Sequence, residues 1–392
     1  MLLLPPDISR LNSYAGPITC LVWNMLHRRG VQVEVMPALG THVPMSDTEI
    51  REMYPEIPTE CFLVHNWKRD VRSIGTIPAK FVSDISEGYY EKPVEVQVNR
   101  RLLDGTYDLI CSIGQVVPHE VVGMANYTKN ILVGCGGSSI INQSHYIGAL
   151  YGMERMMGRD HSPVHRLFDY AQEHFLQNVP LLFALTVTTV EEEGVRLQCL
   201  SIGDQRDAFE KAIAVSQEKN LTFLDRPLQK VVVYLDEKEF KTTWIGNKAI
   251  YRTRMAIADG GELLIIAPGL RGCGEDPEND RLIRKYGYVG RDRICKQVEE
   301  NRDLQESLSV AAHIIHSSSE GRFTITYAPG HMTQEEIEGI NYRYMPLSQA
   351  LAQYDPQKLA PGFNLVDGEE VFVVKNPAVG LWATAERFGR ES

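Results

Sequence analysis

Three stretches hold the residues whose types and spacing could do chemistry. In 118-PHEVVGMANYTKNILVGCGG-137, His119 follows a proline, and Lys129 lies ten residues later at the start of an apolar, strand-like run that closes on glycines. A lysine at that point is either an edge device on a strand or a partly desolvated amine of lowered pKa, suited to covalent attachment or Schiff-base chemistry. His42 in ALGTHVPMS and His145 at the end of GCGGSSIINQSH add two more imidazoles. A single loop histidine is ordinarily solvated or capping. Three at strand-end loops of one domain form a set able to move protons or bind a metal near neutral pH. The glycine- and serine-rich run from Gly134 to Ser139 can cradle a phosphate through backbone N–H groups, or it is a plain glycine turn before a helix. It is neither G-x-G-x-x-G nor a Walker A sequence.

Two further histidine pairs carry weaker expectations. His161 and His165 are four apart like a metal pair, but Pro163 and a helix start at Ser162 put His161 outside the helix. His313 and His316 in AAHIIHSSS share a helix face. Both pairs are expected to be structural. The acidic runs 191-EEE-193 and 297-QVEENRDLQE-306 are expected to be solvated faces.

The elements that must position these groups alternate between strand and helix. GPITCLVWNMLHRRG reads as a helix ended by Gly30, VQVEVMPALG as a strand running into a loop, and SDTEIREMYPE as a helix opened by a Ser46/Glu49 capping box. YDLICSIG and NILVGCGG read as short apolar strands ending in glycine. SPVHRLFDYAQEHFL starts a helix with Ser162 as N-cap and Pro163 at its first position. PLLFALTVTTV is a strand turned by EEEG, and GDQRDAFEKAIAVSQEK an amphipathic helix. KVVVYLD, GELLIIAPGL, GRFTITYAP and EEVFVVKNP repeat the strand signal, with TWIGNKAIYRTRMAIA as a helix between the first two. This alternation predicts an α/β protein of two domains, residues 1–226 and 227–392, divided around Asp225 to Gln229, with the active site in the cleft between them.

Composition bounds the function. The 392 residues exceed one ordinary core, and 43% hydrophobic with 23% charged residues describes a globular chain. A net charge of −11 argues against a nucleic-acid surface, while leaving room for a small anionic substrate met by a few local cations. MLLLPP lacks a basic n-region and meets prolines at once, and no apolar run reaches membrane-span length, so a cytoplasmic protein is expected. The seven cysteines form no C-x-x-C pair, which indicates neither a zinc knuckle nor a disulfide framework.

Taken together, the motifs resemble those of the nickel-pincer lactate racemase family, with its broader set of 2-hydroxy-acid racemase and epimerase homologues. The opening 7-DISR-10 is similar to the family's D-x-T-R-P and 40-GTHVP-44 to its G-x-H-R-P. The ten-residue interval from His119 to Lys129 and the sixteen from there to His145 are the family's own. WIGNKAIY followed by DGGELLIIAPG resembles the family's helix and strand bearing a substrate-binding lysine, here Lys248.

The resemblance implies a specific site. Lys129 would be joined through a thioamide to a nickel-pincer nucleotide (nickel pyridinium-3,5-bisthiocarboxylic acid mononucleotide), with His145 completing the nickel coordination. Soft sulfur with one imidazole is reasonable chemistry for that metal. Gly136 and Ser138 would help hold the cofactor. The implied reaction is racemisation or epimerisation of a 2-hydroxy acid by reversible hydride transfer, with His42 and His119 as bases on opposite faces. Arg10 and Lys248 would hold carboxylate and keto oxygens, and Asp7 would orient a neighbouring catalytic group. The implied partners are a small 2-hydroxy acid and the enzymes that synthesise the cofactor.

Departures from the pattern bear on the substrate. GMANYT stands where the family commonly has G-F-S-G-G, and Val43 where an arginine is usual. Ile245 replaces a glutamine and Trp244 a tyrosine, which points away from lactate. The family's segment before D-x-T-R-P has no counterpart ahead of Asp7, which implies a shorter subfamily or a misplaced start at Met1. Two other function classes fit the bare residues: a metal-dependent α/β hydrolase with His42, His119 and His145 as ligands, and a non-catalytic binder of small carboxylates.

Overall fold

The computed structural model describes residues 1–191 and 194–389 as two compact α/β units. Residues 1–151 and 156–220 form the first, and residues 152–155 with those from Leu221 onward the second. The expected boundary at Asp225 to Gln229 falls earlier, because Leu221–Leu224 pairs as a strand with Leu381–Thr384. Glu192 and Glu193 of the expected acidic turn lie outside the described residues.

The first unit holds β1 (Leu2–Leu4), β2 (Glu34–Val35), β3 (Val71–Ile77), β4 (Val94–Asn99) and β5 (Ile110–Gln115). After these come the short β6 (Pro118–His119) and β7 (Gly123–Met124), then β8 (Leu181–Glu191) and β9 (Gly194–Gly203). Its main sheet runs β2-β1-β5-β8-β9, parallel except for β9, while β3 and β4 form a separate antiparallel ribbon. β1 and β5 are buried along their whole length, so LLL and ICSIGQ show apolar runs rather than alternation. The helix Ala15–His27 lays Ala15, Cys20 and Trp23 into a cluster with Leu3, Val35, Met53 and Ile113. The helix Asp47–Met53 opens with the Ser46/Glu49 capping box, and Pro163–Phe175 with Ser162 as N-cap.

The second unit holds β10 (Leu221–Leu224), β11 (Leu228–Tyr234), β12 (Ile257–Ala267), β13 (Thr324–Pro329) and β14 (Arg343–Tyr344). β15 (Gly362–Val366), β16 (Glu369–Val374) and β17 (Leu381–Thr384) complete it. Its sheet runs β14-β13-β12-β11-β16-β15, with the edge strand β15 antiparallel.

Three sequence expectations change. NILVGCGG is not a strand: Asn130–Gly134 is one π-helical turn. A short run buried on all sides reads the same from either conformation. Here the left-handed Asn126 and Tyr127 (φ 73 and 55) swing the chain round, and the Asn130 amide donates to Leu4 O at 3.1 Å and Ser112 Oγ at 2.8 Å. VQVEVMPALG yields only the two-residue β2. TWIGNKAIYRTRMAIA is two short helices, Thr243–Gly246 and Lys248–Thr253, and its last residues enter β12.

Candidate active site

Asp7, Arg10, His42 and His119 all follow the carboxyl ends of neighbouring parallel strands, β1, β2 and β5, at one end of the first unit's sheet. That is where α/β sheets present ligand-binding groups. Lys129 reaches the same end because Asn130, beside it, is bonded to the end of β1. The His42 loop joins there too, through Gly40 N–H to Gly134 O at 2.8 Å. Thr186 and Thr188 of β8 hold the Arg10 turn by donating to Ser13 O and Asn12 O at 2.7 and 3.0 Å.

Asp7 caps the short turn Ile8–Ser13, accepting the Ser9 N–H at 3.0 Å and the Ser9 hydroxyl. Its other oxygen accepts His42 Nδ1–H at 2.5 Å. Burial alone would raise the Asp7 pKa; the His42 hydrogen bond and charge, with the two bonds from Ser9, overcome it and bring it down to about 2. An ionised carboxylate accepts only, so the proton of neutral His42 is on Nδ1 and its lone pair on Nε2. The His42 side chain is 51% exposed.

The second cluster is drier. His119 is buried, and burial pushes its pKa well below the usual imidazole value; Glu120 acts against this, while Lys129, Arg10 and His145 reinforce it. Lys129 is half-buried, and desolvation followed by the charge of Arg10 takes its ammonium down to about 8. His145, on the helix Ser138–Tyr151, is lowered to about 4 by burial and then by Lys129. Its Nδ1–H donates to Ile141 O at 2.7 Å, which puts the ring's lone pair on Nε2, the arrangement a metal-binding imidazole would need. The histidines and the lysine chosen by spacing are thus close enough for the Lys129 charge to lower the pKa of both His119 and His145.

The glycine-serine loop is close-packed. A Cβ at Gly136 would lie 1.9 Å from Leu132 O, and one at Gly137 would lie 2.4 Å from Gln97 Oε1. Its N–H groups serve the protein: Gly136 donates to Val133 O, Gly137 to Gln97 O and Ser139 to Gln97 Oε1. His65 donates Nε2–H to Gly136 O at 3.0 Å while accepting the Asn99 amide at Nδ1, 2.8 Å away. Gly136 is therefore held in place before the His145 helix, and the N–H groups of Gly136, Gly137 and Ser139 are already engaged within the protein.

Lys248, Trp244 and Ile245 sit in the second unit, all half-buried. Trp244 stacks on His313, with ring centroids 4.2 Å apart, and His313 is fixed between the hydroxyls of Tyr251 and Tyr288 at 3.0 and 3.1 Å. Lys248 Nζ lies 5.8 Å above the Phe240 ring. The His161/His165 pair does not converge: His165 is fully buried and donates to Met124 O at 2.8 Å, whereas exposed His161 sits with Asp160 and Glu210. Among the described residues that trio is the one metal-like grouping, and Arg206 already occupies Asp160. All seven cysteines are free.

Sequence reasoning missed Glu120, whose carboxylate is 3.8 Å from His119 Nδ1, although it directly follows that histidine. It also missed the Ser9 cap on Asp7 and the His65–Asn99 clamp. Those are long-range or turn-specific contacts with no periodic signal.

Among the described residues no helix is long and apolar enough to cross a membrane. Residues 2–157 match the family model of the lactate racemase N-terminal domain. A crystal structure of a protein from Thermotoga maritima is similar over 97% of this chain and 92% of that one, with a TM-score of 0.83 and 24% identity. The lactate racemase apoprotein from Thermoanaerobacterium thermosaccharolyticum is similar over 97% and 86%, with a TM-score of 0.70 and 17% identity. No curated protein sequence matches the chain. At these identities the structural likeness is one of fold, a two-domain α/β fold. The first 40% or so of the chain, residues 2–157, is thus similar in sequence to a lactate racemase N-terminal domain.

Proposed function

We propose that the protein is a racemase or epimerase of a 2-hydroxy acid, working with a nickel-pincer nucleotide tethered at Lys129. The observation that carries this reading is the trio at one sheet end: Lys129 with its pKa lowered to about 8, His145 with Nε2 left free by its Ile141 bond, and buried His119 beside both. The residues fit the group. A desolvated lysine suits covalent attachment, and a lone imidazole with its other nitrogen fixed suits a metal already held by sulfur. When bound, the group would supply a reversible hydride acceptor beside C2 of the substrate.

The chain's own residues supply the rest. Asp7 fixes His42 with its Nε2 lone pair outward, ready to take the hydroxyl proton. Arg10 presents a guanidinium fork for the substrate carboxylate. Lys248 is proposed to contact substrate oxygens, and Trp244 with Ile245 to favour a side chain other than the methyl of lactate. His119 handles the proton on the other face. The surrounding desolvation keeps His119 and His145 neutral, as proton transfer and metal ligation both require.

The test is intact-protein mass spectrometry with metal analysis on protein co-expressed with the cofactor-synthesis enzymes. A mass increment on Lys129 together with nickel is expected. An unmodified chain, in cells where a control racemase is modified, overturns the reading.

A further inference from the structure

The two histidines of this reading rest in opposite tautomers. His42 carries its proton on Nδ1, given to Asp7 at 2.5 Å. His119 accepts the Val121 N–H on Nδ1 at 3.1 Å, so its own proton is on Nε2. Neither role required of His119 can be filled from that state. To take a substrate proton at Nε2 it needs a lone pair there, which moves its proton to Nδ1. To give a proton from Nε2 it must first be an imidazolium, because a neutral ring would be left as an imidazolate. In both cases Nδ1 bears a hydrogen, and the Val121 N–H cannot accept it.

One carboxylate is placed to do so. Glu120 Oε2 is 3.8 Å from His119 Nδ1, and the Glu120 side chain is only 22% exposed. A small turn of either side chain shortens that gap to hydrogen-bond length, about 2.8 Å. We propose that Glu120 is the positioning residue of His119, receiving Nδ1–H whenever His119 is active, as Asp7 already does for His42. The inference rests on the two-histidine reading of the reaction.

The charges around His119 agree with this. Lys129, Arg10 and His145 all disfavour a proton on it, and Glu120 is the neighbour that favours one. The resting contact with Val121 also has a purpose here. Leaving a buried N–H without an acceptor is unfavourable, so His119 stays in its idle tautomer until other interactions move it.

The experiment follows the imidazole nitrogens of His119 by NMR in the full-length, unloaded protein labelled with 15N-histidine. The wild type should show Nε2–H and a bare Nδ1 at rest. On acidification Nδ1 should gain its proton, at a pH about one unit lower in Glu120→Gln than in wild type, with Glu120→Asp recovering part of the shift. In loaded enzyme acting as a racemase, Glu120→Gln should lower kcat/KM by roughly 10–100-fold. The loss should be equal for both enantiomers, since their equilibrium constant is one, and the pH limb set by His119 should move down. An unshifted His119 titration in Glu120→Gln overturns the proposal whether or not the enzyme can be loaded. A shifted titration in a chain that racemises nothing supports the pairing and sinks the functional reading instead.

Discussion

The Asp7–His42 pair and the His119–Lys129–His145 cluster sit at the same sheet end and set their protons by opposite means. His42 is half in water and is oriented by an ionised, hydrogen-bonded carboxylate. In the other cluster removal from water lowers all three pKa values, keeping His119 and His145 neutral and bringing Lys129 down to about 8, and the charge of Lys129 adds to the effect on both histidines. The first arrangement fixes geometry while leaving the base accessible. The second leaves two imidazoles with lone pairs and makes the lysine easier to deprotonate, at the expense of folding stability. Substitutions that break one arrangement should leave the other standing, and that separates them.

The largest effect falls on the dry cluster. Lys129→Met should abolish any covalent loading, read as the loss of the whole mass increment. The same change should stabilise the unloaded protein. The folded-state pKa of about 8 lies below the ordinary 10.5, so the unfolded chain binds the proton more tightly. The penalty is full below pH 8 and disappears as pH rises towards 10.5. It amounts to about 1–3 kcal/mol once partial exposure is allowed for. Denaturation across that window should show wild type gaining on Lys129→Met as pH rises; parallel curves would mean that Lys129 is solvated.

On the wet side, Asp7→Asn should keep the His42 ring in reach but lose its enforced tautomer, lowering kcat/KM by about 10²–10⁴-fold. Its stability signature has the opposite sign to that of Lys129. The Asp7 pKa, depressed from 3.8 to about 2, contributes about 2 kcal/mol that is present above pH 4 and lost as pH falls through 2. Asp7→Asn should lack that acid-sensitive portion while His119 titrates unchanged. A smaller loss, about 10–100-fold in nickel retention with the tether intact, is expected for His145→Ala. Nickel held equally well would place the ligand elsewhere.

Spacing along the chain survives folding, so the part of the candidate site that rests on intervals was legible. The intervals His119 to Lys129 and Lys129 to His145 could be read directly, as could the placement of His42 after a strand, whereas the strand β1 ahead of Asp7 was not read. Nor was the character of the Lys129 segment. Ile131, Leu132 and Val133 are buried on every side, and a wholly apolar run does not distinguish a π-turn from a strand. The tautomers were illegible too, since each is set by a partner chosen in three dimensions: Asp7 for His42, Val121 for His119, Ile141 for His145. In the second unit, TWIGNKAIYRTRMAIA kept helical composition to its end, yet pairing of β12 with β11 and β13 claimed the last residues for a sheet.

The smallest effect concerns how the chain delivers Lys129 to the dry side. Where the family's G-F-S-G-G run ends in two glycines, this chain has Asn126 and Tyr127, and both keep a positive φ. A tyrosine in that region costs about 1–2 kcal/mol and asparagine less. What holds Tyr127 there is packing: its ring lies 4.5 Å from Phe183 and 5.0 Å from Phe209, and its hydroxyl accepts from Gln172 at 3.2 Å. Tyr127→Gly should therefore destabilise by about 2–4 kcal/mol despite the relieved strain, because the lost ring outweighs it. Asn126→Gly removes only a local bond to the Tyr127 N–H, 2.8 Å, against a modest backbone gain. Its change should stay within about 1 kcal/mol, with Lys129 loading unaltered. Should Asn126→Gly instead prevent loading, the left-handed turn would be more than a pivot, and the asparagine side chain itself would belong to the site.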